Sequence, residues 1–279
     1  MENYCKIGGE RHFAGFKFGG ERLKRYLCLS IRTLYFLLFD CHFCSFCLVM
    51  KKLGLIGGFG PQSTVPYYMN IVYGVRERTS PDFFPNLTIE SLNVFHVLRL
   101  IEENRLDELT EYLLNGLRAL KAAGAEVGAL TANTAHIVFD RLAELSPIPL
   151  ISIIDATCEE AGRRGFRRLA LLGTRFTMEG EFFKAPFVRE GIGIVVPNDS
   201  ERDYIQHTIV SELELGIVKP ETLARYQDII SRLRDEDAAD AVILGCTELP
   251  LLLNDSNSPL PVLDTVRIHT SALISAALS

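Results

Sequence analysis

A two-lobed α/β protein is the fold class this sequence predicts, and three observations carry it. Short apolar runs ending in glycine alternate with longer stretches of helical spacing. The alternation occurs twice, in step. The loops richest in small and reactive residues follow equivalent strands of the two halves. Each half is expected to be a parallel sheet flanked by helices, with a site in the cleft between them, where open α/β sheets bind ligands.

The elements follow in order. Leu53–Ile56 is a short strand that runs into Gly57-Gly58-Phe59-Gly60-Pro61, and Ser63 and Thr64 are candidate caps for a helix through Tyr67 and Ile71. Leu87–Leu92 is a second strand. Leu106, Leu109, Leu113, Leu114, Leu117 and Leu120 share one helix face, Gly124 stops that helix, and Val127–Leu130 begins a buried strand. The pattern then returns. Arg168-Leu-Ala-Leu-Leu-Gly-Thr-Arg-Phe-Thr177 echoes Lys52-Leu-Gly-Leu-Ile-Gly-Gly-Phe-Gly-Pro61 at an offset of 116 residues. Ala241-Val-Ile-Leu-Gly-Cys-Thr-Glu248 echoes Val127-Gly-Ala-Leu-Thr-Ala-Asn-Thr134 at an offset of 114. Pro147-Ile-Pro149 joins the halves, which places the lobes at 50–149 and 150–261.

Composition narrows the function classes. Of the 279 residues 48% are hydrophobic and 23% charged, which excludes a disordered chain. The net charge of −6 implies no basic surface for nucleic acid, and no run of about 20 apolar residues offers a membrane span. Five of the seven cysteines lie in the first 47 residues, a head whose own net charge is +3. Cys41-His42-Phe-Cys44-Ser-Phe-Cys47 has gaps suited to a metal, but spacing places no fourth ligand, and no metal is expected. Met50-Lys51-Lys52 before the first strand resembles a natural start. Residues 1–49 are therefore read as an extension, either disordered or a misassigned start, without a part in the mechanism.

Gly245-Cys246-Thr247-Glu248 is the sharpest chemical signal. A cysteine between a strand end and a helix start sits where backbone N–H groups and the helix dipole would stabilise a thiolate; the alternative is a buried, inert thiol. In the first half the equivalent loop is Thr131-Ala132-Asn133-Thr134-Ala135-His136. Asn133 and Thr134 can offer donors to a carboxylate, or can simply cap a helix. His136 and Cys158 read as packing residues. The glycines at 54, 57, 58 and 60 miss the dinucleotide spacing, no acidic ribose partner ends the second strand, and no P-loop, G-x-S-x-G elbow or H-E-x-x-H helix occurs.

Taken together, Gly57–Pro61 with Ser63-Thr64, Asn133-Thr134-Ala135-His136, Leu172–Met178, Gly245-Cys246-Thr247-Glu248, and Pro261–Thr265 with His269 resemble the aspartate/glutamate (Asp/Glu/hydantoin) racemase family across residues 51–279. The resemblance implies two pseudo-symmetric lobes, a C-terminal helix (262–279) returning to the first lobe, a homodimer, a cytoplasmic location and no cofactor. It implies inversion of an amino acid without pyridoxal phosphate, one acid/base from each lobe exchanging a proton with Cα. Cys246 matches one of these. Phe59, Asn133, Thr134 and Thr247 match positions that hold the substrate, a small amino acid or carboxylate. Two positions depart from the family pattern. The first-lobe acid/base is Ala132, and Thr131 is one residue off, so it points to the other face of a strand. Tyr204 stands where many relatives carry a lysine for the substrate's side-chain carboxylate. A one-sided proton-transfer enzyme, decarboxylase-like, and a catalytically impaired carboxylate-binding protein are the alternatives.

Overall fold

The structure, a computed structural model, describes residues 50–279. In chain order the elements are β1 (Leu53–Gly57), α1 (Pro61–Arg78), β2 (Leu87–Ser91), α2 (Val94–Glu102), α3 (Leu106–Ala122), β3 (Val127–Leu130), α4 (Phe139–Leu145) and α5 (Ile153–Arg163). They continue as β4 (Arg168–Leu172), α6 (Arg175–Glu179), α7 (Glu181–Arg189), β5 (Gly193–Val195), α8 (Asp199–Ser211), α9 (Pro220–Asp235), β6 (Ala241–Leu244), β7 (Val262–Asp264) and α10 (Thr265–Leu278). The strands form two parallel sheets, β2-β1-β3 and β5-β4-β6-β7. A parallel strand pair cannot be joined by a tight turn, so helices fill the crossovers except between β6 and β7, where a longer loop with one short 3-10 turn, Leu249–Leu251, makes the connection.

The duplication seen in the sequence is also a duplication of register. Leu53 pairs with Val127 and Leu169 with Ala241, so the offsets of 116 and 114 residues carry one hydrogen-bonded pair onto the other. The strand ends obey the same rule. Thr131 N–H donates to Ile56 O at 3.0 Å, and Gly245 N–H donates to Leu172 O at 2.7 Å. Equivalent loops therefore leave the two sheets from equivalent points.

Each lobe is followed by a helix that packs on the other lobe. Leu150 forms a parallel bridge with Gly128, Ser152 caps the next turn by accepting from Asp155 N, and α5 then buries Ile153, Ile154, Cys158 and Ala161 in the core around β4 and β6. In the second lobe β7 pairs with β6, and Asp264 caps the next helix by accepting from Val266 N and Arg267 N. That helix, α10, buries Val266, Leu273, Ile274 and Ala277 against Leu53, Leu55, Tyr67 and Ile71 of the first lobe. On the other face of the first sheet, Ile56 meets the leucine stripe of α3.

Two local expectations need correcting. Ser63 and Thr64 do not cap α1: the helix begins at Pro61 behind Gly60, and both hydroxyls lie inside its first turn. Ser63 Oγ donates to Thr131 O, and Thr64 Oγ1 accepts from Gly58 N–H at 3.1 Å, so the turn is tied to the strand-end loops. A nine-residue helix, α2, also follows β2 where the sequence analysis placed no element, capped by Asn93 accepting from Phe95 N. Gly58 makes the first loop possible. It has φ +89°, and a Cβ there would lie 2.0 Å from Leu92 O.

Candidate active site

Two loops in matched register build the site. After β3 the chain runs through Thr131, Ala132 and Asn133 into a five-residue 3-10 turn, Thr134–Val138. After β6 it runs through Gly245, Cys246, Thr247 and Glu248 into a three-residue 3-10 turn, Leu249–Leu251, with Pro250 early in it. The register sets Ala132 opposite Cys246 in the pseudo-symmetry, Asn133 opposite Thr247, and Thr134 opposite Glu248.

The loops are joined through Thr265 at the start of α10. Its hydroxyl donates to Leu244 O at 2.8 Å and accepts from Asn133 Nδ2 at 3.5 Å. Asn133 is 4% exposed, caps no helix, and its Oδ1 is buried without a donor among the described residues. A buried amide oxygen left unpaired costs free energy, and such atoms are rare away from ligand sites. The helix-capping alternative for Asn133 is thereby excluded.

Around Cys246 the chemistry differs from the sequence expectation. A three-residue 3-10 turn supplies little dipole, and the thiol is buried. Cys246 Sγ–H donates to Glu248 Oε2 at 2.8 Å, and Thr247 Oγ1–H donates to the same oxygen at 2.9 Å. Burial pushes the Cys246 thiol well above its ordinary range, and the Glu248 charge adds to the push. The resting group is a thiol held by a carboxylate, not a thiolate on a helix end. Glu248, 6% exposed, has no cationic partner among the described residues.

Of the other expected residues, Thr134 and Thr247 are half-buried on their loops. Phe59 is half-buried between Gly58 and Gly60, packed on the outer core of the first sheet. Thr131 is fully buried with Oγ1 3.5 Å from Thr64 Oγ1. Tyr204 lies half-buried on α8, its ring 6.2 Å from that of Tyr226. Glu201, one turn earlier, closes a capping box with Asn198 and pairs with Arg232 at 2.6 Å, which gives it a structural task. Cys158 is in the second core, as expected of a packing residue. A cavity of about 620 Å³ between α1, α5, α10 and the Pro250–Asp255 segment takes only Thr247 from the expected set.

Both histidines of the motif regions are structural. His136 Nδ1–H donates to Ala132 O at 2.8 Å while Nε2 accepts from Ile153 N at 3.3 Å; burial lowers its pKa to about 4. His269 Nε2–H donates to Ile151 O at 2.9 Å while Nδ1 accepts from Tyr67 Oη at 2.7 Å; burial lowers its pKa to about 3. Each is a neutral imidazole spanning two segments. Glu248 and Thr265 lie in the Gly245–Glu248 and Pro261–Thr265 motifs, yet neither has a role predictable from residue type alone. The i, i+2 spacing of Cys246 and Glu248 was the available signal. The described residues contain no group of three or more side chains arranged to hold a metal, and the Cys41–Cys47 run lies outside them, as do residues 1–49 as a whole.

The Asp/Glu/hydantoin racemase family model matches residues 56–273. The chain belongs to this family. An aspartate racemase homologue of known structure from Pyrococcus horikoshii OT3 is 38% identical, with 82% of this chain and 100% of that one covered and a TM-score of 0.74. The broad specificity amino-acid racemase RacX of Bacillus subtilis (strain 168) is 24% identical over 81% of this chain and 98% of its own length. The Picrophilus torridus aspartate racemase, 23% identical, covers 81% of this chain and 94% of its own, and shares the fold at a TM-score of 0.63. The α/β architecture of two parallel sheets flanked by helices is thus the racemase family's own.

Proposed function

We propose that the protein is a cofactor-independent amino-acid racemase or epimerase in which Cys246 exchanges a proton with the substrate Cα. Family membership supports an isomerase of the amino-acid racemase type. The observation that carries the residue assignment is the Cys246–Glu248 hydrogen bond, on a strand-end loop register-matched to the Ala132–Asn133 loop. The substrate would lie in a cleft between the two loops. Its α-carboxylate would meet donors from Asn133, Thr134 and Thr247, with Phe59 and its glycine neighbours closing the first-lobe side. Fixed donors there would stabilise the charge that grows on the carboxylate as Cα loses its proton. In one direction a water on the Ala132 face removes Cα–H and the thiol gives its proton to the resulting carbanion. In the other, Glu248 takes the thiol proton, the thiolate removes Cα–H, and a water on the Ala132 face returns a proton to Cα.

Ala132 supports a second reading within the same chemistry. A methyl group neither gives nor takes a proton, so exchange on the Cys246 face could proceed without inversion. A carboxylate-binding protein is the reading left if no proton moves at all. A cytoplasmic homodimer completes the proposal, supported by the family resemblance and by an exposed apolar stripe on α1; among the described residues no helix is long and apolar enough to cross a membrane.

Incubation of each enantiomer of acidic, neutral and basic amino acids in deuterated water separates these outcomes. Racemisation gives Cα deuterium with loss of optical purity, and one-sided exchange gives deuterium with purity kept. Cys246→Ala is expected to reduce either by at least about a hundredfold, the scale of one positioned acid/base. Absence of Cα exchange by the folded protein, or full activity in Cys246→Ala, would falsify the assignment.

A further inference from the structure

We infer that Thr265 is a positioning residue for the reaction: its hydroxyl sets which end of the Asn133 amide the substrate meets, and that end is the carbonyl oxygen. The inference deepens the racemase reading and rests on it.

Thr265 stands where the lobes exchange a helix. Asp264, the last residue of β7, caps α10 by accepting from Val266 N and Arg267 N, so the second lobe fixes where the helix starts. Farther along the same helix, Leu273, Ile274 and Ala277 pack on the first lobe. Thr265 is fully buried at this junction. Its hydroxyl touches β6 at Leu244, two residues before Cys246, and reaches the Asn133 side chain on the first-lobe loop. A threonine is stiff at χ1, so the direction of that hydroxyl is held with the helix start.

Counting protons decides the Asn133 orientation. A hydroxyl carries one. Thr265 Oγ1 lies 2.8 Å from Leu244 O, a separation that two oxygens keep only with a proton between them. On its other side the hydroxyl therefore offers lone pairs, and Asn133, 3.5 Å away, faces it with Nδ2–H. The flipped amide would set Oδ1 against those lone pairs. Oδ1 is the atom left over, buried without a donor among the described residues in a side chain 4% exposed. An N–H of the bound substrate's α-ammonium would satisfy it. The donors that this loop keeps for the α-carboxylate are then the main-chain N–H groups that open the Thr134–Val138 turn, which have no partner within it. Without the Thr265 hydroxyl nothing distinguishes the two ends of the amide, and the oxygen is presented only part of the time.

Steady-state kinetics and side-chain amide NMR of the full chain test this. Thr265→Val keeps the shape and removes the hydroxyl; Thr265→Ala does the same where valine does not fit. Either is expected to raise KM about tenfold with kcat little changed, the sign of a contact made equally before and in the transition state. Thr265→Ser, which keeps a bridging hydroxyl, is expected to recover most of the loss. In an Asn133→Ala protein the Thr265→Val change is expected to raise KM no further, because it acts through the missing amide. The Asn133 Nδ2 proton that faces Thr265 is expected to move upfield in Thr265→Val and to hold its place in Thr265→Ser. A general disturbance of the Cys246 strand end would lower kcat instead, in both Asn133 backgrounds alike. An unchanged KM, a loss confined to kcat, equal KM increments in the two backgrounds, or an unmoved amide proton overturns the inference. Absence of Cα exchange from every amino acid would fail the racemase reading alone, and the amide spectra would still decide the Thr265 contact, so the two failures are distinguishable.

Discussion

At position 132 a methyl group stands where register sets a thiol in the other lobe. Ala132 is half-buried, and its carbonyl oxygen is fixed by the His136 ring, so its Cβ direction is held by the same strand-end geometry that holds Cys246. Thr131 cannot take the role, since its hydroxyl is fully buried toward Thr64. Ala132→Cys is therefore expected to place a second acid/base on the empty face and to raise the rate of loss of optical purity by at least about tenfold over the native protein. Chiral chromatography of product against time measures it. An Ala132→Cys protein that exchanges Cα deuterium as the native one does, with no gain in inversion, would show that the missing thiol is not what limits racemisation. Residue identities at these positions were legible because the two echoing segments align one to one. The state of the thiol was not, because it depends on burial and on a carboxylate two residues away in sequence.

Among the elements, the core strands matched the sequence most closely: Val127–Leu130 and Ala241–Leu244 are strands at the bounds expected of them. Continuous apolar runs buried on both faces leave little choice of conformation. Helix starts were harder to read. Ser63 and Thr64 have capping side chains, but a tertiary partner, the Thr131 loop, takes their hydroxyls. The helix α2 was missed because it follows β2 after only two residues and begins on an Asn that also reads as a turn residue. On α1, Val65, Tyr68, Met69 and Tyr73 share one face and are each more than 40% exposed. Residues spaced by three and four on a helix form a stripe, and a stripe this apolar suits a second copy of the same chain. Met69→Glu together with Tyr73→Lys is expected to convert a dimer into a monomer in sedimentation, with the native circular dichroism kept. A native protein that sediments as a monomer at micromolar concentration removes the homodimer from the proposal.

At the scale of the whole molecule, the lobes are held by exchanged helices, and two neutral histidines sit at the exchange. His136 bridges the Ala132 loop to the first residue of α5, and His269, on α10, bridges Ile151 to Tyr67 of α1; their rings are 6.4 Å apart. Neither can be protonated without losing an acceptor and placing a buried charge beside its neighbour. Their pKa values are held near 4 and 3, against an ordinary value of 6.5. The unfolded chain therefore takes up these two protons at a pH where the folded chain does not. Stability from the pair is complete above about pH 6.5 and is lost as pH falls from there toward about 4 and 3. Between about pH 6.5 and 4.5 the loss is on the order of 2 kcal/mol per histidine. Carboxylates with lowered values, such as Glu201 and Glu212, start from 4.5 and give up their stabilisation mainly below this window, so the histidines dominate within it. Denaturant unfolding at pH 7 and pH 4.5 measures the difference, and a His269→Gln protein, which keeps a donor and an acceptor but does not titrate, should show about half the pH dependence. Stability that is level or rising as pH drops through this interval would mean that the two imidazoles are not buried and neutral in the fold, and that the lobes are joined by something other than the pair of bridges described.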